Sequence, residues 1–171
     1  KILIGLLYGC GLRCMEVRNI ELRHLDFDRH LLHVVQSKGN KDRYVPLSGH
    51  VIRGIKTYIS AEHPCKYLFE GTGNGEGKGF DGRYSQRGVQ WAVKTVARQA
   101  GILKEVHTHM LRHTYATHLL EDGVNILTVQ KLLGHSNIDS TMVYLHVCTL
   151  PQSLPQSPLD KVFEQCRQST K

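Results

Sequence analysis

Ile2, Leu3, Leu6 and Leu7 recur at the spacing of one helix face, so the chain reads as helical from its first turn. Gly9 and Gly11 are expected to break that helix, and Leu12, Met15, Val17 and Ile20 predict a second, less regular one. The period then changes. In HLDFDRHLLHVVQ, apolar and β-branched residues flank Asp28-Arg29-His30, which predicts a strand, a tight turn and a second strand. After the turn SKGNKD, RYVPL predicts a third strand closed by Pro46. Three short antiparallel strands are expected, at about 24–28, 31–36 and 43–47.

The helical period returns with Val51, Ile52, Ile55, Tyr58 and Ile59. EGTGNGEGKGFDGR, between Glu70 and Arg83, reads as a glycine-rich surface loop. Its GEGKG is not a phosphate-binding P-loop, because the GK[ST] ending and the surrounding strand-to-helix unit are missing. Ser85 is expected to cap a helix that Gly101 stops, and Thr108 one that Gly123 stops. Asn125 starts a short helix ending at Gly134, and Ser136 with Asp139 forms a capping-box pattern for a last helix through Tyr144. PQSLPQSP then reads as an extended connector. Mainly helical with a small three-stranded antiparallel sheet, the pattern is α+β.

The 171 residues suffice for one domain with a real core, and 40% hydrophobic with 22% charged residues excludes a disordered chain. No apolar run reaches the ~18 residues of a membrane span, and no cleavage site follows the apolar opening. Lys1 precedes a pattern already under way, so the chain reads as a piece of a longer protein. The formal net charge of +7 favours a polyanionic partner. Residues 1–60 hold ten basic and five acidic groups, 61–120 eight and five, and 121–171 four and five. An anion-binding face is therefore expected in the first two thirds. Five cysteines at irregular spacing make no disulfide framework, which points to a reducing cytosol. Cys10 and Cys14 invite a zinc reading, but no second pair follows them.

The densest chemical signal is HTHMLRHTYATHLL. His109, Arg112 and His113 fall within five residues at a helix start, where backbone N–H groups favour an anion. His135 follows a helix stop in LLGH, and Tyr144 lies nine residues further on. Arginine grips phosphate oxygens with a bidentate fork, and a tyrosine hydroxyl can act as covalent nucleophile when neighbours offset its high pKa. Each residue also has an ordinary reading. Arg13 and Glu16 make a common i,i+3 helix pair, Tyr144 a core aromatic, and His113 and His118 packing or polar supporting groups.

Taken together, these segments resemble the catalytic domain of the tyrosine recombinases (Xer-type, phage and integron integrases). YGCGLRCMEV is similar to that family's first arginine box and SKGNKDRYVPL to its lysine β-hairpin. HMLRHTYATHLL, LLGH and YLH resemble the H-x-x-R box, the second histidine box and the nucleophile box. The resemblance implies a DNA breaking-rejoining fold over residues 1–150, with 151–171 a tail that can dock on a neighbouring protomer through Val162 and Phe163. It also implies that the N-terminal core-binding domain of such enzymes is absent from this chain.

Residue by residue, it implies that Arg13 and Arg112 clamp the scissile phosphate and Lys38 protonates the leaving 5′-oxygen, with Lys41 a competitor. His109 and His135 would bond the phosphate and relay protons, Tyr144 would form a 3′-phosphotyrosine, and Glu16 would orient Arg13. Cys14 and Met15 depart from the smaller or aliphatic residues expected there. No metal or cofactor is expected, because two arginine forks can stabilise the charge of the transition state, and no ATP, because a phosphotyrosine stores the bond energy. The implied partners are double-stranded DNA and further protomers, as a tetramer on paired sites. The implied location is cytoplasmic, at the nucleoid, with no membrane. The rival readings are type IB topoisomerase-like relaxation, a catalytically silent DNA-binding module and, last, a zinc hydrolase on His109 and His113, where Met110 replaces the glutamate of an H-E-x-x-H site.

Overall fold

Helix α1 (Ile2–Gly9) buries Leu3, Leu6 and Leu7 and packs between α3 (Gly49–Glu62) and α5 (Thr108–Glu121). It is part of a computed structural model that describes residues 1–35, 42–71, 81–146 and 148. The remaining helices are α2 (Cys14–Arg18), α4 (Gln86–Gln99), α6 (Ile126–Leu133) and α7 (Asp139–Met142). Strands β1 (Leu25–Asp26), β2 (Leu31–Val34) and β3 (Arg43–Pro46) form one antiparallel sheet in sequence order. Leu32 pairs with Leu25 on one side and Val45 on the other, which places these apolar side chains on one face.

The expected element order holds, and four details differ. The strands are shorter than expected, and the turn between β1 and β2 closes with His30 in a left-handed conformation at φ 56°. Ser85 caps α4 as expected, its Oγ accepting from Gly88 N at 2.9 Å. Thr108 does not cap α5: it is the first helical residue and is buried, and His107 takes the extended N-cap conformation. Nor does Ser136 cap the last helix. Asn137 Oδ1 accepts from Asp139 N at 3.1 Å, so this local turn starts α7 later. The α-helix ends at Met142, and Tyr144 lies in a 3₁₀ turn over Val143–His146. The glycine-rich expectation falls largely on 72–80, the Lys38 hairpin tip on 36–41 and the tail on 151–171, all outside the described residues.

Two apolar clusters form the interior. The larger holds Leu6, Leu7, Leu12, Leu32, Val45, Ile55, Leu68 and Val89 around α1, the sheet, α3 and α4. The smaller joins Tyr115, Ala116 and Leu120 of α5 to Val129 and Leu133 of α6 and to Tyr144. Buried charged side chains link the elements of one cluster to those of the other. Among the described residues no helix is long and apolar enough to cross a membrane.

Candidate active site

Gly134 explains much of the local geometry. At φ 64° it sits in the left-handed region, where glycine pays no Cβ penalty, and it ends α6 in a Schellman turn. Gly134 N donates to Lys131 O and His135 N to Gln130 O. That closure delivers His135 immediately after the helix. It also leaves the Leu132 and Leu133 carbonyls without backbone donors, as the last turn of any helix must leave some. Two arginines take them. Arg43 Nε donates to Leu132 O at 2.7 Å, and an Arg112 terminal nitrogen to Leu133 O at 2.6 Å.

Arg112 is 2% exposed, and its other terminal nitrogen donates to Gly11 O at 2.7 Å. Gly11 has φ +58°, and a Cβ there would collide with the Tyr115 ring, so the carbonyl that holds Arg112 depends on glycine. Burial and the like charges of Arg13 and Arg43, against an upward pull from Glu16, bring the Arg112 pKa down to about 10, which leaves it cationic at neutral pH.

Glu16 ties the cations together. Its Oε2 accepts from the Arg13 backbone N–H at 2.8 Å, and its Oε1 receives Arg13 Nη1 at 2.9 Å. Arg43 meets both oxygens as a fork, at 2.9 and 2.8 Å, and Arg112 lies 3.7 Å away. Burial pushes the Glu16 pKa up, but the hydrogen bonds and charge of Arg43, the Arg13 N–H and the charge of Arg112 outweigh it and hold it below the ordinary value. Arg13 keeps 32% of its side chain exposed, unlike Arg43 and Arg112.

On the other side of Arg112, Tyr144 is 5% exposed, and its hydroxyl lies 3.0 Å from His113 Nδ1. The His135 ring stacks on the Tyr144 ring (12° between planes, centroids 6.4 Å apart), and its Nδ1 meets Thr141 Oγ1 at 2.9 Å. Burial raises the Tyr144 pKa, with Arg112 and Arg13 pulling the other way. Burial, then the charges of Arg112, Arg13 and Arg43, lower the His135 pKa to about 4, so this imidazole is neutral at pH 7. His109 stands one turn before His113 on α5, exposed, with its ring 5.5 Å from that of His113.

The structure thus brings Arg13, Glu16, Arg112, His135 and Tyr144 together, sets His109 at the rim, and does not describe Lys38. Sequence reasoning missed Arg43. The signal was available: β3 buries Arg43 and Val45 and exposes Tyr44 and Pro46, so R-Y-V-P already places the arginine on the inward face. Among the described residues no group of three or more His, Cys, Asp or Glu could hold a metal ion.

Fixed guanidiniums beside a tyrosine hydroxyl and a neutral imidazole suit chemistry on a phosphodiester. The signature of the phage integrase family matches residues 1–149, and the chain belongs to that family. A tyrosine recombinase from Thermosipho africanus (strain TCF52B) is 43% identical over 147 residues, covering 86% of this chain and 49% of that protein. The crystal structure of XerA recombinase superposes with a TM-score of 0.73 at 26% identity, over 97% of this chain and 57% of that one. The XerH site-specific recombinase, in a post-cleavage complex with a palindromic difH substrate, shares the fold at a TM-score of 0.72 and 24% identity, over 86% of this chain and 42% of that one. The chain spans about half the length of the curated relatives it matches.

Proposed function

We propose that this chain carries the strand-cleaving site of a site-specific tyrosine recombinase acting on double-stranded DNA. The observation that carries the reading is the placement of the Tyr144 hydroxyl beside Arg112, whose guanidinium is held by the Gly11 and Leu133 carbonyls. In this reading Arg13 and Arg112 grip the non-bridging oxygens of one phosphate, and Glu16 with Arg43 holds the Arg13 side of the clamp. Tyr144 attacks phosphorus in line, forming a 3′-phosphotyrosine and releasing a 5′-hydroxyl. His135, neutral at pH 7, can donate one ring N–H to the phosphate while Thr141 holds its other nitrogen. His109 contacts the phosphate from the rim. Lys38, by resemblance, protonates the leaving oxygen.

Rejoining reverses these steps, with no net change in bond energy and no need for ATP. The family match and the name of the Thermosipho relative favour recombination over topoisomerase-like relaxation. In the cytoplasm, on nucleoid DNA, protomers act as a tetramer on paired sites, with segment 151–171 docking on a neighbour. Tyr144→Phe tests the reading, because it removes only the hydroxyl. On a nicked suicide duplex, wild type gives a covalent protein–DNA adduct on a denaturing gel, and the variant gives none while it binds the duplex with unchanged affinity. An adduct in the variant moves the nucleophile elsewhere.

A further inference from the structure

We infer that His113 is a catalytic residue: its Nδ1 takes the Tyr144 hydroxyl proton as the oxygen attacks phosphorus, and returns it when the phosphotyrosine is resolved. The inference rests on the recombinase reading and adds to it the identity of the base. It departs from what resemblance suggests, since the histidines of the two motif boxes are His109 and His135.

Contacts decide among the three. His113 Nδ1 lies 3.0 Å from Tyr144 Oη, within the range of a real hydrogen bond. The His135 ring lies parallel to the Tyr144 ring, and its Nδ1 is engaged by Thr141. His109 meets the edge of the His113 ring. The Arg112 guanidinium also faces the hydroxyl, but a guanidinium has N–H donors only and cannot accept a proton. Among the described residues, His113 is therefore the hydrogen-bond partner of Oη able to accept one.

The tautomer follows from the same constraint. With Arg112 supplying only donors, the hydroxyl hydrogen points at Nδ1, and the imidazole carries its own proton on Nε2. Burial and the charges of His109 and Arg112 hold the His113 pKa below its ordinary value, so at pH 7 the ring is neutral and ready to accept. The Tyr144 and His113 rings touch at a tilt of 56°, centroids 5.3 Å apart, which keeps Nδ1 on the hydroxyl. The step balances. The O–H bond of Tyr144 breaks as the P–O bond forms, the proton goes to Nδ1, the P–O5′ bond breaks, and the 5′-oxygen is protonated by the separate acid. In the reverse step the protonated imidazole gives its proton back to the departing tyrosine oxygen.

The test is the single-turnover rate of adduct formation on a suicide duplex for wild type, His113→Ala and His113→Asn. Asparagine can place an oxygen near the position of Nδ1 and keep a hydrogen bond to the hydroxyl, but it cannot take the proton. Both variants should slow by about 10²-fold or more, the usual contribution of a general base, with duplex affinity unchanged. If His113→Asn runs within a few-fold of wild type, His113 only positions Tyr144 and the inference falls while the recombinase reading stands. If wild type forms no adduct, the recombinase reading falls and takes the inference with it.

Discussion

The two halves of the site are held in opposite ways. On the arginine side, Glu16, Arg43 and Arg112 are each less than a tenth exposed, and their bonds of 2.6–2.9 Å cross between α2, β3, α5, α6 and the Gly11 turn. On the tyrosine side, Tyr144 sits in a four-residue 3₁₀ turn, and its hydroxyl meets an exposed histidine. The difference fits the roles proposed above for the two halves. Cations that await a phosphate act best when fixed beforehand, because no reorganisation then opposes the reaction. A nucleophile that must reach phosphorus and later let go needs a segment that shifts at low cost.

Three experiments would break or sharpen that contrast. The largest effect is expected from Glu16→Ala, which leaves Arg13, Arg43 and Arg112 close together without their shared carboxylate. Removing one partner of a buried ion pair costs about 3–5 kcal/mol, so chemical denaturation should show a loss of that order. A loss below about 1 kcal/mol would mean that the arginine side is looser than its bonds imply.

Next in size is the response to acid, in which the halves should separate by pH. His135 has a folded pKa of about 4 against an ordinary 6.5, so the unfolded chain takes up this proton first. Its contribution is present above pH 6.5 and is lost progressively as pH falls toward 4. Glu16, held below its ordinary 4.5, keeps its contribution until pH falls below that value. Denaturation midpoints for His135→Asn should therefore be flatter than wild type between pH 6.5 and 4. Parallel curves in that window would contradict the burial of His135. The smallest effect belongs to Thr141→Val, which removes the hydroxyl bonded to His135 Nδ1. One neutral hydrogen bond is worth about 1 kcal/mol, so chemical denaturation should show a loss of that order, the smallest of the three.

The sequence was most informative where a residue type marks a backbone state or a charge. Gly134 announced the turn that presents His135, and the arginine, histidine and tyrosine boxes pointed to Arg13, His109, Arg112, His135 and Tyr144 in chain order. It was least informative where a role depends on which atoms meet. Arg43 looked like a hairpin residue because its partners, Glu16 and the Leu132 carbonyl, lie 27 and 89 residues away along the chain. His113 and His109 share a helix face one turn apart, and only the position of Tyr144 across from α5 separates them. The last helix was misjudged because Ser136 and Asn137 both suit a helix start, and spacing alone does not tell which side chain the backbone chooses.

The carbonyls at the end of α6 have one more consequence, in charge balance. They hold Arg43 and Arg112 in place without neutralising them, since a peptide dipole carries only a fraction of a charge. Three guanidiniums thus share the carboxylate of Glu16 and retain a surplus of two positive charges. A phosphodiester in its resting form carries one negative charge, and its five-coordinate state during displacement carries close to two. The surplus matches the second better than the first, which is the condition for lowering a barrier rather than merely binding the ground state.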